Sequence, residues 1–485
     1  MSRLLPFKRS PLADLKAKLK TARQADKNFE VFGADTHHYR IGSTVSESDI
    51  AAFESRYGVE LPESYRTFLT AFGNGSPKIG GSGYGAAGPF YGIYALGQGV
   101  DDFVEDPETA LRRPAVIRPD MDDAEWEELA GMLIDDPDLS DEEYEALYSD
   151  EDYDAAMAKV YAGILPLGTQ GCSAYHGLVL TGPHKGRVVN VDMEHRKPNF
   201  AYEPDFLTWY ERWLDEVISG ILGSGRLGYW FGYLMGGDDA HLLKVYDGTD
   251  DRATKLDALL GLGKLFEASE PGRQRLLELC DEDDPELRHL ALRMLTKFDY
   301  PKAKEPLRRH LDGDEDDLQI ALKSLHWHAR GNASEWVEAL RARLSTVDDA
   351  ETFRFSCYLL EAAGMDLRDD VRPFCSHRNP KIRVTAFRTL GKAEAPQDSI
   401  ELFLKGLDDP SPVVVHAVLQ ALPGVRDLRL KAAYGQVLER FDRNDEPVEP
   451  PQFREYVLVN LEHRLRELGI ESLDAFRASR RGGKS

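Results

Sequence analysis

The sequence predicts two folded parts: an α+β domain with a small antiparallel sheet over about the first 220 residues, and an all-α solenoid over residues 241–440. The chain has 485 residues, which exceeds what one hydrophobic core usually organises. Two strand-like segments joined by a glycine-containing turn indicate a hairpin. Further along the chain, a helical pattern recurs at intervals of 30 to 35 residues, which is typical of stacked helical repeats.

Composition excludes several classes of protein. Charged residues make up 30% of the chain, and no apolar run approaches the roughly 20 residues of a membrane span, so we expect no membrane insertion. The basic N-terminus is not followed by the apolar region of a signal peptide. Cys172, Cys280, Cys357 and Cys375 lie far apart, without the spacing of a zinc ribbon or a disulfide scaffold. We therefore expect a cytoplasmic protein.

The net charge of −24 is concentrated in one segment. Residues 1–100 sum to +3, whereas residues 101–158 carry 22 acidic and 3 basic side chains and sum to −19. Between Arg118 and Lys159 there are 17 acidic residues and no Lys or Arg. Such a segment repels phosphates and attracts basic surfaces. We therefore expect no direct binding of nucleic acid.

The first helices follow from apolar spacing and cap residues. Residues 1–39 form a basic extension in which leucines at helical spacing predict a short amphipathic helix. A second helix is expected to begin at Ser46 and end at Gly58. A third is expected to begin at Pro62 and end at Gly73, because proline suits a first helical turn and glycine ends a helix.

Strands are predicted where aromatic and β-branched residues cluster. Residues 90–96 indicate one strand, and residues 174–181 and 187–192 indicate a hairpin. A closing helix is predicted over residues 206–217, where large apolar residues recur at helical spacing. Residues 221–240 are rich in glycine and aromatic residues, which favours a junction packed on both sides over a free linker.

From residue 241 to 440 each of six repeats carries an Asp or Asn followed by a small residue, seven positions later in five repeats and, with one insertion, eight positions later in the last. Four positions beyond the small residue stands a leucine in the first five repeats and Ala421 in the last. The Asp or Asn is a predicted helix cap, and proline follows it in three turns: Asp284-Pro285, Asn379-Pro380 and Asp409-Pro410. A helix pair of this length cannot enclose a core alone, so the repeats must stack. Residues 441–485 are predicted to form a capping helix and a basic tail. The small residues are Ala258, Ala291, Ala321, Ser356, Ala386 and Ala417.

The run from Ile50 to Leu69, followed by Asn74-Gly75, resembles the signature of the SUKH superfamily of cell-wall regulators and bacterial immunity proteins. The resemblance covers about residues 40–220. The chain differs from the family in its acidic insert, residues 101–158, and in the added helical pairs of residues 241–440, which resemble HEAT repeats. Three shorter stretches also resemble the family: Leu165–Gly168, Val188–Asp192 and Phe206-Leu207.

The resemblance implies a binding module and not an enzyme. Bacterial SUKH proteins are typically immunity proteins that neutralise toxins delivered between cells, and eukaryotic relatives act as regulators or scaffolds. We expect an immunity protein that neutralises a cognate toxin by stoichiometric occlusion. One alternative is a non-enzymatic scaffold or regulator with two binding modules. Another is an enzyme related to HEAT-containing bilin lyases or DNA glycosylases, although the acidic charge disfavours a glycosylase.

No residue pattern indicates a catalytic, cofactor-binding or metal-ligating site. Gly83–Gly88 matches G-x-G-x-x-G, but a proline and a predicted strand follow it where a dinucleotide site needs a helix. The histidines form no ligand set at a recognised spacing, and Asp312–Asp317 lacks the residue placement of a calcium loop. Cys172 with His176 lacks an orienting group. We therefore predict no cofactor and no metal.

The acidic insert is the predicted partner-binding surface. Apolar stripes at residues 126–133 and 153–161 indicate two amphipathic helices, but exposed helices ordinarily interleave Glu with Lys. We expect the acidic face to bind a basic toxin domain. The concave side of the solenoid, the loop of residues 73–99 and the acidic insert are competing contact sites, and we expect the domain's sheet and the insert to be the first of them to contact the partner. The predicted contact residues are Asp120, Asp122, Asp123, Glu127, Glu128, Asp141, Glu142, Glu145, Asp150, Glu151, Asp152, Asp154 and, in the loop, Tyr84.

Overall fold

The chain divides into two units, residues 1–272 and residues 273–485. Among the described residues, none of the helices combines the length and the apolar composition that crossing a lipid bilayer requires. This computed structural model describes residues 12–75, 85–134, 147, 149–223, 230–443 and 447–481.

Helices surround one sheet in the first unit. Helix α4 continues into a π-helical turn at Phe68–Phe72. The Ser46 hydroxyl accepts a hydrogen bond from the N–H of Asp49 where α3 begins, and Gly58 ends α3 with φ at +60°, which confirms both predicted ends. The elements are α1 (Leu12–Ala25), α2 (Ala34–His37), α3 (Glu47–Tyr57), α4 (Glu63–Thr67), α5 (Pro107–Ala110), α6 (Asp123–Ala130), α7 (Asp150–Val160), β1 (Ile164–Gly171), β2 (Ala174–Val179), β3 (Val188–Asp192), β4 (Asn199–Phe200), α8 (Phe206–Ile218), α9 (Asp239–Asp247) and α10 (Arg252–Leu262).

The sheet is an antiparallel meander in the order β1-β2-β3-β4. Strands β2 and β3 are the predicted hairpin, with Tyr175 opposite Val191. Because successive side chains of a strand point to opposite faces, the strands contribute to two separate cores. One face packs against α1, α3, α4 and α8 through Leu165, Leu167, Leu178 and Val188. The other packs against the insert helices α6 and α7 through Ile164, Val179, Val189, Val191 and Phe200.

The basic extension belongs to the first core. Leu15 and Leu19 of α1 are buried in it, and the Lys18 ammonium forms ion pairs of 2.7 Å with Glu211 and Asp215 of α8. The predicted amphipathic helix is therefore confirmed. It packs along one edge against the closing helix of the domain.

The predicted strand at residues 90–96 is wrong. Phe90 and Gly92 have φ angles of +54° and +92°, and a strand cannot continue through left-handed backbone. Only Ile93 forms an isolated bridge, with Ala86. The N–H of Tyr94 donates to the Leu167 carbonyl at 2.7 Å, so this segment lies along the outer edge of β1.

The predicted solenoid is a succession of helices. Helix α11 (Glu270–Leu279) contains the division between the two units. The predicted capping helix is α22, whose Val457, Leu461 and Leu465 are completely buried. The remaining helices are α12 (Pro285–Phe298), α13 (Tyr300–Leu311), α14 (Glu315–His328), α15 (Val337–Leu344), α16 (Ala350–Ala362), α17 (Arg368–Val371), α18 (Pro380–Gly391), α19 (Ile400–Leu407), α20 (Pro412–Ala421), α21 (Leu428–Phe441), α22 (Gln452–Glu467) and α23 (Leu473–Arg481).

The repeat pattern of caps and small residues is confirmed in five of the six predicted repeats. All six small residues are at most 2% exposed, which allows the first helices of successive repeats to approach closely. Five predicted caps accept a hydrogen bond from a backbone N–H of their helix, and these are Asp251, Asp284, Asp314, Asp349 and Asn379.

The sixth predicted cap is wrong. Helix α20 begins after Ser411 with Pro412 in its first turn, so Asp409-Pro410 lies before the helix. Asp409 instead forms an ion pair with Arg383, with both guanidinium contacts at 2.8 Å. Asp409 lies eight positions before the small residue Ala417, where the other repeats have seven, and the cap of this helix is Ser411, two positions after Asp409.

Buried histidine makes the first unit sensitive to acid. His176 on β2 is completely buried beside the rings of Phe90 and Trp209, and burial lowers its pKa to about 3. The unfolded chain, with a pKa of about 6.5, therefore binds the proton first as the pH falls. Stability from neutral His176 is present above pH 6.5 and is lost progressively towards pH 3.

We expect the free energy of unfolding to fall by about 2 kcal/mol between pH 7 and pH 5 because of His176 alone. Urea denaturation at each pH measures this change. In His176→Leu, the decrease between the two pH values should be smaller by that amount, whereas His463→Ala, at an exposed site, should follow the unmodified chain. An unchanged pH dependence in His176→Leu would contradict the assignment.

Candidate protein-binding surface

The acidic insert is anchored to the sheet by an apolar core and by hydrogen bonds. Trp126 of α6 and Met157 and Val160 of α7 are buried against the second face of the sheet. The indole N–H of Trp126 donates to the His195 carbonyl at 3.0 Å. The Tyr153 hydroxyl lies 3.2 Å from Nε2 of the His195 ring. The two predicted apolar stripes are therefore confirmed as the inner side of the insert.

Helix α6 begins with a capping box that uses two acidic residues. The Asp122 carboxylate accepts from the N–H of Glu125 at 2.8 Å, and the Glu125 carboxylate accepts from the N–H of Asp122 at 3.0 Å. The Arg118 guanidinium contacts Glu125 and lies 3.3 Å from Asp120. The carboxylates of these three acidic residues thus interact with neighbouring residues of the chain, where they stabilise the start of the helix and its preceding turn.

Helix α7 begins in the same way. The Ser149 hydroxyl accepts from the N–H of Asp152 at 3.2 Å, and the Asp152 carboxylate accepts from both the hydroxyl and the N–H of Ser149. The hydroxyl donor, followed by the N–H, holds the pKa of Asp152 below its ordinary value. Negative charge in a first turn also interacts favourably with the helix dipole, which helps α7 to tolerate its run of acidic residues.

The remaining predicted contact residues differ in how far they are neutralised. Asp123 forms an ion pair with Lys197, and Asp154 is half-buried. Four residues are exposed and form no ion pair within the part of the chain that is described: Glu127, Glu128, Asp150 and Glu151. These four residues define what we call the acidic face. Helices α6 and α7 pack against each other, so the acidic face belongs to one folded substructure.

Four predicted contact residues lie outside the described residues: Tyr84, Asp141, Glu142 and Glu145. Their positions stay predictions. The acidic face defined above does not include them.

The sheet is the other expected contact surface of the domain. Both faces are covered by helices, and Tyr94 hydrogen-bonds to the outer edge of β1. The insert therefore occupies the surface that the sheet would otherwise offer to a partner. A contact between the sheet itself and a partner stays a prediction.

The loop of residues 73–99 borders a groove of about 480 Å³. The N–H of Gly42 donates to the Asn74 carbonyl, and the Asn74 side chain accepts from the N–H of Leu96 at 2.9 Å. These bonds fix the walls of the groove, which remains a second candidate contact site. It is lined by Gly42, Ser43, Thr44, Val45, Asp49, Phe53, Asn74, Gly75 and Leu96.

The described part of the glycine-rich loop is unsuited to binding phosphate. The N–H groups of Gly85, Ala86 and Ala87 donate to the backbone carbonyls of Tyr91, Ile93 and Arg40, so they are not free to surround an anion. Cys172 is exposed whereas His176 is completely buried. This difference in burial gives no support to a cysteine nucleophile with a histidine base.

Sequence reasoning missed the basic residues that neutralise part of the insert. Lys197 lies beyond the run of acidic residues in the chain, in the connection between β3 and β4, yet its ammonium contacts Asp123. No signal in the sequence links these positions. The contact of Arg118 with Glu125 could have been predicted, since Arg118 precedes the capping box by only four residues.

Two family models match the chain. Residues 44–212 match the model of the SMI1 / KNR4 family (SUKH-1), and residues 240–326 match that of HEAT repeats. No curated protein matches the chain. The predicted fold class and the predicted order of the two families are confirmed. Domains of both families are generally non-enzymatic binding domains.

Proposed function

Since the chain carries a SUKH-1 domain followed by HEAT repeats, we propose that it is an immunity protein acting in the bacterial cytoplasm. It binds a cognate toxin stoichiometrically and blocks the toxin's working surface. The observation that supports this proposal most is the acidic face. It carries exposed carboxylates that are held on a folded substructure and form no ion pair within the described residues.

Charge decides which kind of partner the acidic face selects. Unpaired carboxylates on neighbouring helices repel each other, and this repulsion costs stability. A basic protein surface relieves the repulsion, speeds encounter and disfavours acidic competitors. Toxins that act on nucleic acids need a basic surface to bind phosphates, so occlusion of such a surface by the acidic face would also inhibit the toxin.

A scaffold or regulator is the second candidate function. The HEAT repeats favour it, because stacked helix pairs provide extended surfaces for binding proteins. Co-expression distinguishes the two functions. An immunity protein restores growth to cells that express the toxin encoded beside its gene, whereas a scaffold binds partners without such rescue.

Neutralising the acidic face is expected to weaken toxin binding at least tenfold. The variant combines Glu127→Gln, Glu128→Gln, Asp150→Asn and Glu151→Gln, and it leaves the capping residues of α6 and α7 unchanged. Surface charge acts mainly on association, so the association rate should decrease and its dependence on salt should become shallower. Surface plasmon resonance at two salt concentrations measures both quantities.

The matched control removes the same number of charges elsewhere. Its four glutamates are exposed and form no ion pair within the described residues: Glu267→Gln, Glu305→Gln, Glu338→Gln and Glu455→Gln. This variant should bind the toxin as the unmodified chain does. Equal weakening in both variants would show that only net charge matters, and would contradict the role given to the acidic face.

A further inference from the structure

Three side chains from successive helices of the second unit converge on one point. His289 lies on α12, His310 on α13 and Asp317 on α14. Nε2 of His289 lies 2.7 Å from Oδ1 of Asp317, and Nε2 of His310 lies 3.6 Å from the same oxygen. The three possible ligand atoms all lie within 4.8 Å of one another. Metal–ligand bonds of about 2.0–2.1 Å in a tetrahedral site separate ligand atoms by roughly 3.4 Å. Small side-chain shifts would therefore bring these three atoms to the spacing of a metal site.

His310 is oriented as a metal ligand would be. Its Nδ1 lies 2.9 Å from the Pro306 carbonyl, and because a carbonyl only accepts, Nδ1 carries the hydrogen. The neutral ring then presents a lone pair at Nε2. This atom is buried and has no hydrogen-bond partner among the described residues, in a side chain that is 5% exposed. A carbonyl that accepts from the second ring nitrogen is typical of metal-bound histidine.

The other two groups leave the site open on one side. The side chains of His289 and Asp317 are 18% and 22% exposed. A neighbouring cation is the Arg288 guanidinium, whose Nη2 lies 3.5 Å from Oδ1 of Asp317, at the limit of a hydrogen bond. Its Nη1 donates to the Glu282 carbonyl at 3.0 Å. Arg288 therefore has its own anchor and does not replace a cation between the two imidazoles.

We propose that His289, His310 and Asp317 bind one first-row divalent cation, with Zn²⁺ preferred. Two imidazole nitrogens and one carboxylate oxygen form a ligand set that Zn²⁺ accepts, and three protein ligands leave a fourth position for water or a partner's side chain. Zn²⁺ takes the place of the hydrogen between His289 and Asp317, so His289 binds as the neutral tautomer with its hydrogen on Nδ1. The cation thereby links α12, α13 and α14, which belong to two successive repeats.

Metal titration of the full chain tests this proposal. After treatment with a chelator, the protein is titrated with Co²⁺, whose visible absorption reports its ligands, and then with Zn²⁺. We expect one Co²⁺ to bind per chain, Zn²⁺ to displace it, and Zn²⁺ to raise the melting temperature, because a ligand that binds only the folded state stabilises it. Absence of stoichiometric binding of both ions would overturn the proposal.

Variants identify the ligands. His289→Gln, His310→Gln and Asp317→Asn should each weaken Co²⁺ binding at least tenfold. His289 is only partly buried, so His289→Gln should fold even if His310→Gln does not, and circular dichroism checks this. Two controls should bind Co²⁺ normally: His377→Gln, which alters a pair of one histidine and one carboxylate at 3.0 Å, and His463→Gln, at an exposed position. Equal binding by His289→Gln and the controls would place the metal elsewhere and refute the site.

Discussion

Replacing Lys264 by Met is expected to lower the free energy of unfolding by about 3–5 kcal/mol, because it removes one of the cations that balance two buried carboxylates. The Lys264 ammonium is completely buried and lies 2.7 Å from Oε1 of Glu216. It also donates to the Met235 carbonyl at 2.7 Å. Burial lowers the pKa of Lys264 to about 8, which still leaves the ammonium charged at pH 7.

The carboxylates that Lys264 balances are shared with a second cation. The Arg212 guanidinium binds Glu203 at 2.8 Å and Glu216 at 2.9 Å, with side chains that are at most 7% exposed. It also donates to the Leu234 carbonyl. Among the described residues, two cations and two anions therefore form a buried group in which the charges balance. The group connects the closing helix α8 to the junction segment and to the residues after α10.

A double variant separates charge from packing. Lys264→Met combined with Glu216→Gln leaves Arg212 paired with Glu203, so the buried group is neutral again and the double variant should be more stable than Lys264→Met. Urea denaturation followed by tryptophan fluorescence and circular dichroism measures both. Arg56→Met, which removes an exposed ion pair with Glu108, should behave as the unmodified chain. If the single and double variants were equally unstable, lost packing would explain the whole effect.

Trp126→Ala is expected to have a comparable effect, about 3–5 kcal/mol, because it removes a large buried ring from the core between the insert and the sheet. Trp126 is 3% exposed, and its indole N–H donates to the His195 carbonyl. The acidic face depends on this core for its position. Trp126→Ala should therefore also weaken toxin binding, although it changes no charge.

Two further substitutions test the Trp126 prediction. Trp126→Phe keeps an aromatic ring in the core and loses the hydrogen bond and part of the ring volume, which should cost less than Trp126→Ala. Trp327→Ala replaces a tryptophan that is 66% exposed and should change stability little. Denaturation curves and toxin binding are measured for all three variants. Stable, fully binding Trp126→Ala protein would show that the insert does not need this core.

Local patterns in the sequence predicted helix starts correctly where a residue type has one physical role at that position. Asp284 and Asn379 cap their helices as predicted, because a short polar side chain followed by proline satisfies free N–H groups at a helix start. The same reasoning failed at Asp409, because the cap of that helix lies two positions further along the chain, at Ser411. It also failed for residues 90–96, because left-handed backbone at Phe90 and Gly92 overrides the strand propensity of the aromatic residues.

The candidate sites depended more on contacts between distant residues. The acidic composition of the insert and its two apolar stripes are visible in the sequence, and they correctly separate an outer side from an inner side. The pairing of Asp123 with Lys197 is not visible, since the two residues are 74 positions apart. Nor is the cluster of His289, His310 and Asp317, which have no metal-binding spacing along the chain.

By itself, the sequence determined the resemblance of two segments to known families, the fold class, the helical repeats with most of their caps, and the place of the excess negative charge. These depend on short-range spacing, which sets hydrogen bonding and the burial of one side of each element. Only the tertiary structure decided that the insert covers one face of the sheet, which acidic residues form ion pairs, and which histidines lie close together. Those outcomes depend on distances between residues far apart in the chain, and such distances exist only after the cores have packed.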